Sequence, residues 1–197
     1  MAELVDAPAS GAGCENSGGS SPLWDTIGNY MQFIDEATIF VKAGDGGNGC
    51  VSFRREKFIE KGGPNGGDGG KGGDIILYCT REINTLIDFR YQSNFIAQNG
   101  QSGKGKGMHG KSGEDLIISM PVGTQVFFDD GETLCIDLTE ENEGFLVAKG
   151  GKGGWGNTHF KSSINQAPRK SYSGEPGEEY TFILRLKLLS DVGLLGL

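Results

Sequence analysis

Gly66-Gly67-Asp68-Gly69-Gly70-Lys71-Gly72-Gly73-Asp74 repeats glycine with a step of three residues. Gly150-Gly151-Lys152-Gly153-Gly154-Trp155-Gly156-Asn157 does the same, and Gly107, Gly110 and Gly113 keep the step more sparsely. Gly44-Asp45-Gly46-Gly47-Asn48-Gly49 is a shorter relative. Three residues per turn is the period of the extended polyproline-II helix. That helix makes no internal hydrogen bonds, so its amides and carbonyls need partners elsewhere. Several such runs in one chain predict that they pack on one another, with glycine wherever two backbones come close.

The segments between the glycine runs read as strands. Residues 37–43, 50–53, 74–79, 115–120, 125–128, 133–138, 144–149 and 180–186 are rich in β-branched and aromatic residues and bounded by turn formers. Residues 86–89 read as a short strand or turn, and Asp130-Gly131 marks a hairpin between 125–128 and 133–138. No segment holds a 3.6-residue period over three turns. The expected fold class is therefore all-β, a sandwich or barrel. Three long connections, roughly 54–73, 90–113 and 150–177, carry both the glycine repeats and lysines. Loops of that length in a compact domain are commonly functional, and these are expected to form one rigid projection.

Thirty-five glycines in 197 residues would also fit low complexity, but their placement between strands argues for a folded body. Six prolines exclude collagen. No apolar stretch is long enough to span a membrane, and the N-terminus lacks the basic and apolar regions of a secretory signal. Cys14, Cys50, Cys79 and Cys135 are spaced for neither a zinc site nor a disulfide framework, which predicts free thiols in a reducing cytoplasm.

Residues 1–30 stand apart, rich in Ala, Gly and Ser and without period. Glu3-Leu4-Val5-Asp6-Ala7-Pro8 and Gly19-Ser20-Ser21-Pro22 can be encoded by transfer-RNA D-arm and T-arm sequences, in order and at suitable separation. Residues 1–30 are therefore expected to be a disordered or spurious extension, with Met31 the true start. The net charge of −8 falls to −4 without them, because they contain four acids and no base. The bases that remain cluster in the loops, so a basic tip on an acidic body is compatible with the overall charge.

Gly105-Lys106-Gly107-Met108-His109-Gly110-Lys111-Ser112 fits the phosphate-loop pattern, but a phosphate loop follows an apolar strand and opens a helix. Neither flank does so, and the match reads as chance within a Gly/Lys-rich loop. The G-x-G-x-x-G-like run from Gly44 to Gly49 precedes a strand where a dinucleotide fold needs a helix. His109 and His159 have no second ligand at metal spacing, and they read as solvated loop residues. No nucleophile–base constellation is legible. Lys and Arg on pre-ordered loops, interleaved with Phe58, Tyr91, Phe95, Trp155, Phe160 and Tyr172, instead suit RNA, by charge plus stacking.

The run Ala43-Gly44-Asp45-Gly46-Gly47-Asn48-Gly49-Cys50-Val51-Ser52-Phe53-Arg54-Arg55-Glu56-Lys57 resembles the opening signature of the Obg (CgtA) GTPases. Residues 61–74, Met108-His109-Gly110-Lys111-Ser112-Gly113-Glu114-Asp115-Leu116, Pro121-Val122-Gly123-Thr124 and Gly174-Glu175-Pro176-Gly177-Glu178 belong to the same pattern. The resemblance covers about residues 31–197. It implies an Obg domain over residues 31–186, a β body bearing glycine-rich polyproline-II-like helices. Residues 187–197 look like the linker and first strand of a truncated GTPase domain. The likeness implies GTP/GDP and Mg²⁺ sites in the parent protein, with no catalytic, cofactor or metal residue in this stretch. It also implies a cytoplasmic monomer, without membrane insertion, that binds the large ribosomal subunit and its rRNA. The candidate RNA contacts are Arg54, Arg55, Lys57, Lys104, Lys106, Lys161, Arg169 and Lys170. The alternative is a protein-interaction module that docks a partner, or its own GTPase domain, through the glycine helices.

Overall fold

The computed structural model describes residues 35–58 and 62–187. The extension at 1–30, Lys61 and residues 188–197 lie outside them. The body is all-β, built of two mixed sheets and not closed into a barrel. Five strands form the first sheet: β1 (Glu36–Lys42), β3 (Asn94–Ile96), β5 (Thr124–Phe128), β6 (Leu134–Leu138) and β8 (Glu179–Leu186), in the order β3-β1-β8-β5-β6. The second contains β2 (Ile75–Thr80), β4 (Leu116–Pro121) and β7 (Gly144–Ala148), in the order β4-β2-β7. The β1–β3 and β2–β4 pairs are parallel, and the other pairs are antiparallel.

Period-two burial sets which side chains meet. Ala37, Ile39 and Val41 of β1 and Phe182, Leu184 and Leu186 of β8 face inward, as do Ile75, Leu77 and Cys79 of β2. With Ile118, Met120, Val126 and Leu138 they form one core spanning both sheets. Each large aliphatic or aromatic side chain buried there stabilises the fold by about 1.5–3 kcal/mol. The hairpin at Asp130-Gly131 forms as expected, with Gly131 N–H donating to the Phe128 carbonyl at 2.9 Å.

Three expectations need correction. Residues 86–89 are not a strand: they lead into the five-residue helix α1 (Ile87–Tyr91), which buries Phe89. A helix so short shows no 3.6-residue period. The three-residue β3 was not anticipated for the same reason of length. Cys50–Phe53 is not a strand either, since only Phe53 makes a β-bridge, to Pro64. Cys50 instead donates to the Gly67 carbonyl at 3.0 Å and accepts from the Asn157 amide at 3.0 Å, which makes it part of the glycine array.

That array is a bundle of six extended segments, 44–50, 62–74, 98–105, 107–116, 149–157 and 172–178. Their hydrogen bonds recur every third residue. Gly44, Gly47 and Cys50 donate to Gly73, Gly70 and Gly67 at 2.8–3.0 Å, while Gly67, Gly70 and Gly73 donate onward to Lys104, Gln101 and Gln98. Gly69 and Gly72 donate to Gly154 and Gly151, which themselves donate to Gly47 and Gly44. Tyr172, Glu175 and Glu178 close the outer side on Trp155, Lys152 and Lys149. The interior of the bundle has no room for side chains: a Cβ on Gly69 would lie 1.8 Å from the Gly47 carbonyl oxygen. Among the described residues, none of the buried apolar core falls within 44–74, 98–117 or 149–181. The bundle is thus held by backbone hydrogen bonds, which answers the partner question that the three-residue repeat raises.

Candidate nucleic-acid interface

The register of the bundle fixes which residues share its far end. Pairing runs outward from Gly44–Gly73 through Gly47–Gly70 to Cys50–Gly67, so residues 50–58, 62–67, 103–109 and 155–172 lie away from the sheets. All eight candidate bases fall in these stretches, and Glu56 is the single carboxylate among their described residues. The end of the bundle is therefore strongly basic although the chain is acidic overall.

Local structure presents these bases. Ser52 C=O accepts from Asn65 N–H at 2.9 Å and Gly63 C=O accepts from Arg54 N–H at 3.0 Å, which pins the 52–65 turn. Lys104 N–H donates to Met108 C=O at 2.9 Å and closes a second turn, with φ of 62° at Lys106 and 71° at Gly107. Gly107 adopts its positive φ without strain, and the turn carries Lys106 beside it. The 3-10 turn Asn157–Phe160 leads into the stretch that carries Lys161, Arg169 and Lys170.

Two adjoining clefts result. One, of about 830 Å³, is lined by Arg54, Arg55, Lys106, Asn65 and Thr158 among others. The second, of about 510 Å³, shares Arg54 and Arg55 and adds Lys161 and Arg169. Lys57 and Lys104 lie at the same end outside the clefts, and Lys170 Nζ stands 4.9 Å from the Tyr172 ring centre. Arg54 is held bidentately by Glu56 at 2.8 and 3.0 Å. That hydrogen bond, with the attraction of opposite charges, raises the Arg54 pKa. The same hydrogen bond outweighs desolvation and lowers that of Glu56. Asn65 lines the first cleft, and its side-chain oxygen is buried without a hydrogen-bond donor.

Behind the clefts sit two residues that sequence reasoning did not single out. Asn157 is fully buried. Its side chain accepts from Gly66 N–H at 2.8 Å and donates to the Ser52 and Pro168 carbonyls at 2.9 and 3.1 Å. Asp68 joins three loops: its carboxylate accepts from Gly156 N–H at 2.6 Å and lies 2.8 Å from His159 Nε2, while its own amide donates to His109 Nδ1 at 3.2 Å. Burial raises the Asp68 pKa, but the Gly156 amide and the two histidines together outweigh it and hold the carboxyl below its usual range. The histidines are therefore anchors for Asp68 and not merely solvated. Among the described residues, no group of three or more His, Cys, Asp and Glu is placed to hold a metal ion.

One further expectation changes. Tyr91 and Phe95 belong to the body, in α1 and β3, and Phe95 packs 5.9 Å from Phe89. The residues of the phosphate-loop match form no cradle. The Gly107, Met108 and Gly110 amides donate to Asn65, Gly105 and Asp68 carbonyls, and residues 110–115 run extended into β4. No helix opens after Ser112, so these residues do not fit a nucleotide. No helix among the described residues is long and apolar enough to cross a membrane.

An all-β body that projects a glycine-rich bundle with a basic end defines a narrow class of domain. The sequence profile of the GTP1/OBG family matches residues 34–188, and the chain belongs to that family. It is similar to the GTPase Obg of Rickettsia typhi (strain ATCC VR-144 / Wilmington), 58% identical over 167 residues that make up 85% of this chain. It is equally similar to the GTPase Obg of Orientia tsutsugamushi (strain Ikeda), again 58% identical over 167 residues. The match takes in 51% of each relative's own length, so the chain spans about half of the curated relatives it resembles.

Proposed function

We propose that this chain is the ribosome-binding part of an Obg-type GTPase, and that the basic end of its glycine bundle engages rRNA of the large ribosomal subunit during subunit biogenesis. The observation that carries the reading is the convergence of eight bases, with one carboxylate, on one end of a rigid bundle. Phosphate contacts need positive charge in a fixed place, and loops ordered before binding lose less entropy on association. On this reading the protein works in the cytoplasm as a monomer. GTP and Mg²⁺ are bound, and GTP hydrolysed, outside the described residues. The described residues then serve to locate the switch on the ribosome.

Co-sedimentation of the chain with purified large subunits over a salt series tests this. Binding is expected to fall steeply with salt. Combined Arg55→Glu, Lys106→Glu, Lys161→Glu and Arg169→Glu reversal is expected to reduce it at least about a hundredfold with the thermal melt unchanged. A protein-docking module would bind with little salt dependence. Unchanged binding by the reversed variant would overturn the RNA reading.

A further inference from the structure

The three-residue repeat aligns side chains as well as backbones. Residues 149–157 and 172–178 pair as Lys149–Glu178, Lys152–Glu175 and Trp155–Tyr172, through bonds of 2.9–3.0 Å at every third residue. The later two pairs therefore stand next to each other on one face. They line a cleft of about 400 Å³ together with Ser173 and the Gly153-Gly154 backbone. A Cβ on Gly154 would lie 2.0 Å from the Tyr172 carbonyl oxygen, so glycine is what lets the two aromatic-bearing backbones meet.

The rings are held in place from behind. His159 stacks on Trp155 at 5.3 Å and 23°, and Asp68 fixes His159 by the 2.8 Å contact described above. Tyr172 packs edge-on against Phe160 at 5.0 Å and 89°, and lies 6.3 Å from Trp155 at a 41° tilt. Yet Trp155 is 55% and Tyr172 45% exposed. Two ordered rings with solvent-facing surfaces beside a cleft form a stacking platform rather than a core. On its rim, neither the Lys152 ammonium nor the Glu175 carboxylate makes an ion pair or side-chain hydrogen bond.

We propose that this cleft takes an unpaired guanine of an RNA strand whose phosphates lie along the basic end. The inference rests on the RNA reading above and names a subsite within it. A base laid on Trp155 continues the His159–Trp155 stack. A carboxylate only accepts hydrogen bonds, and guanine is the base whose Watson–Crick edge offers two adjacent donors, N1–H and the N2 amine, while its O6 and N7 accept from a lysine. Adenine would set its N1 lone pair against Glu175. A cationic peptide side chain is disfavoured, because Lys152 lines the cleft and Lys170 Nζ stands 4.9 Å from the Tyr172 ring centre.

The test uses the full chain with Trp24→Phe, so that Trp155 is the sole tryptophan. Single-stranded hexanucleotides of RNA containing guanine, adenine or only uracil are titrated while Trp155 fluorescence is followed. The guanine oligomer is expected to quench Trp155 and to bind about tenfold tighter than oligo-uridine. Trp155→Ala is expected to abolish that preference and Trp155→Phe to restore part of it, both read by the anisotropy of end-labelled oligomers because neither variant keeps a tryptophan. Glu175→Gln is expected to bring guanine affinity down to that of adenine with uridine binding unchanged. Equal affinity for all three oligomers, or a Trp155→Ala protein that keeps the guanine preference, would sink the subsite even if large subunits still co-sediment. Quenching by an arginine peptide but not by RNA would assign the cleft to a protein side chain. Failure of every RNA, ribosomal subunits included, would instead remove the RNA reading itself.

Discussion

Replacing Gly69 by alanine tests the central claim about the bundle. The new Cβ would lie 1.8 Å from the Gly47 oxygen and 2.3 Å from its carbonyl carbon. Both atoms are backbone and cannot swing aside, so the two segments must separate by more than an ångström. Three hydrogen bonds cross that point: Gly47 to Gly70 at 2.8 Å, Gly69 to Gly154 at 2.9 Å and Gly154 to Gly47 at 2.8 Å. Each backbone group left unpaired away from water costs about 1–3 kcal/mol, so the loss of three such bonds is expected to cost about 3–9 kcal/mol. For a domain of this size that is a fall in melting temperature of at least about 6 °C, and up to about 36 °C. Gly63→Ala is the matched control, since the nearest atom to its Cβ would be Lys161 Nζ at 3.8 Å. It should melt within about 2 °C of the parent. Circular dichroism melts of the three proteins read this directly. A Gly69→Ala protein as stable as Gly63→Ala would show that the segments do not pack backbone to backbone as described.

Other expectations follow from the same network. Asn157→Ala deprives the Gly66 amide and the Pro168 carbonyl of their side-chain partner; urea titration should show a loss of about 2–4 kcal/mol. Asp68 has a lowered folded pKa, so its contribution is complete above about pH 4, the unfolded value, and disappears as pH falls through the folded one. The stability gap between the parent and Asp68→Asn should therefore narrow on acidification below about pH 4, and a gap that widens there would contradict the assignment. Burial, with the charges of Glu141 and Glu143, pushes the Cys79 thiol up. Iodoacetamide on the native protein should label half-exposed Cys50 well before Cys79, as peptide mass mapping would show.

The strands were legible because β-branched and aromatic runs bounded by turn formers are local signals; which of their residues face the core emerged only with the fold. The glycine step of three likewise foretold a bundle without saying which segment pairs with which. What escaped was either too short for a period, as with α1 and β3, or written in long-range pairing. Asp68 meets Gly156 and His159 across 88 and 91 residues, and nothing near Asp68 in the chain announces it. Cys50–Phe53 looks like a strand because its composition is that of one, but its neighbours are glycine segments and no ladder is there to join. The basic end was visible as clusters of lysine and arginine. The division of those bases between two clefts and the aromatic face depends on turns at 104–108 and 157–160 that carry no distinctive sequence.

The absence of buried apolar side chains from the bundle has a thermodynamic consequence. Heat capacity rises on unfolding chiefly because apolar surface meets water, while exposed peptide groups lower it. The glycine segments contribute mainly peptide. Melting the protein should then raise the heat capacity by less than the usual ~12–15 cal/mol/K per residue, and the stability curve should be correspondingly flat. The basic end would keep its shape over a wide temperature range, held by interactions that do not fade in the cold as hydrophobic ones do.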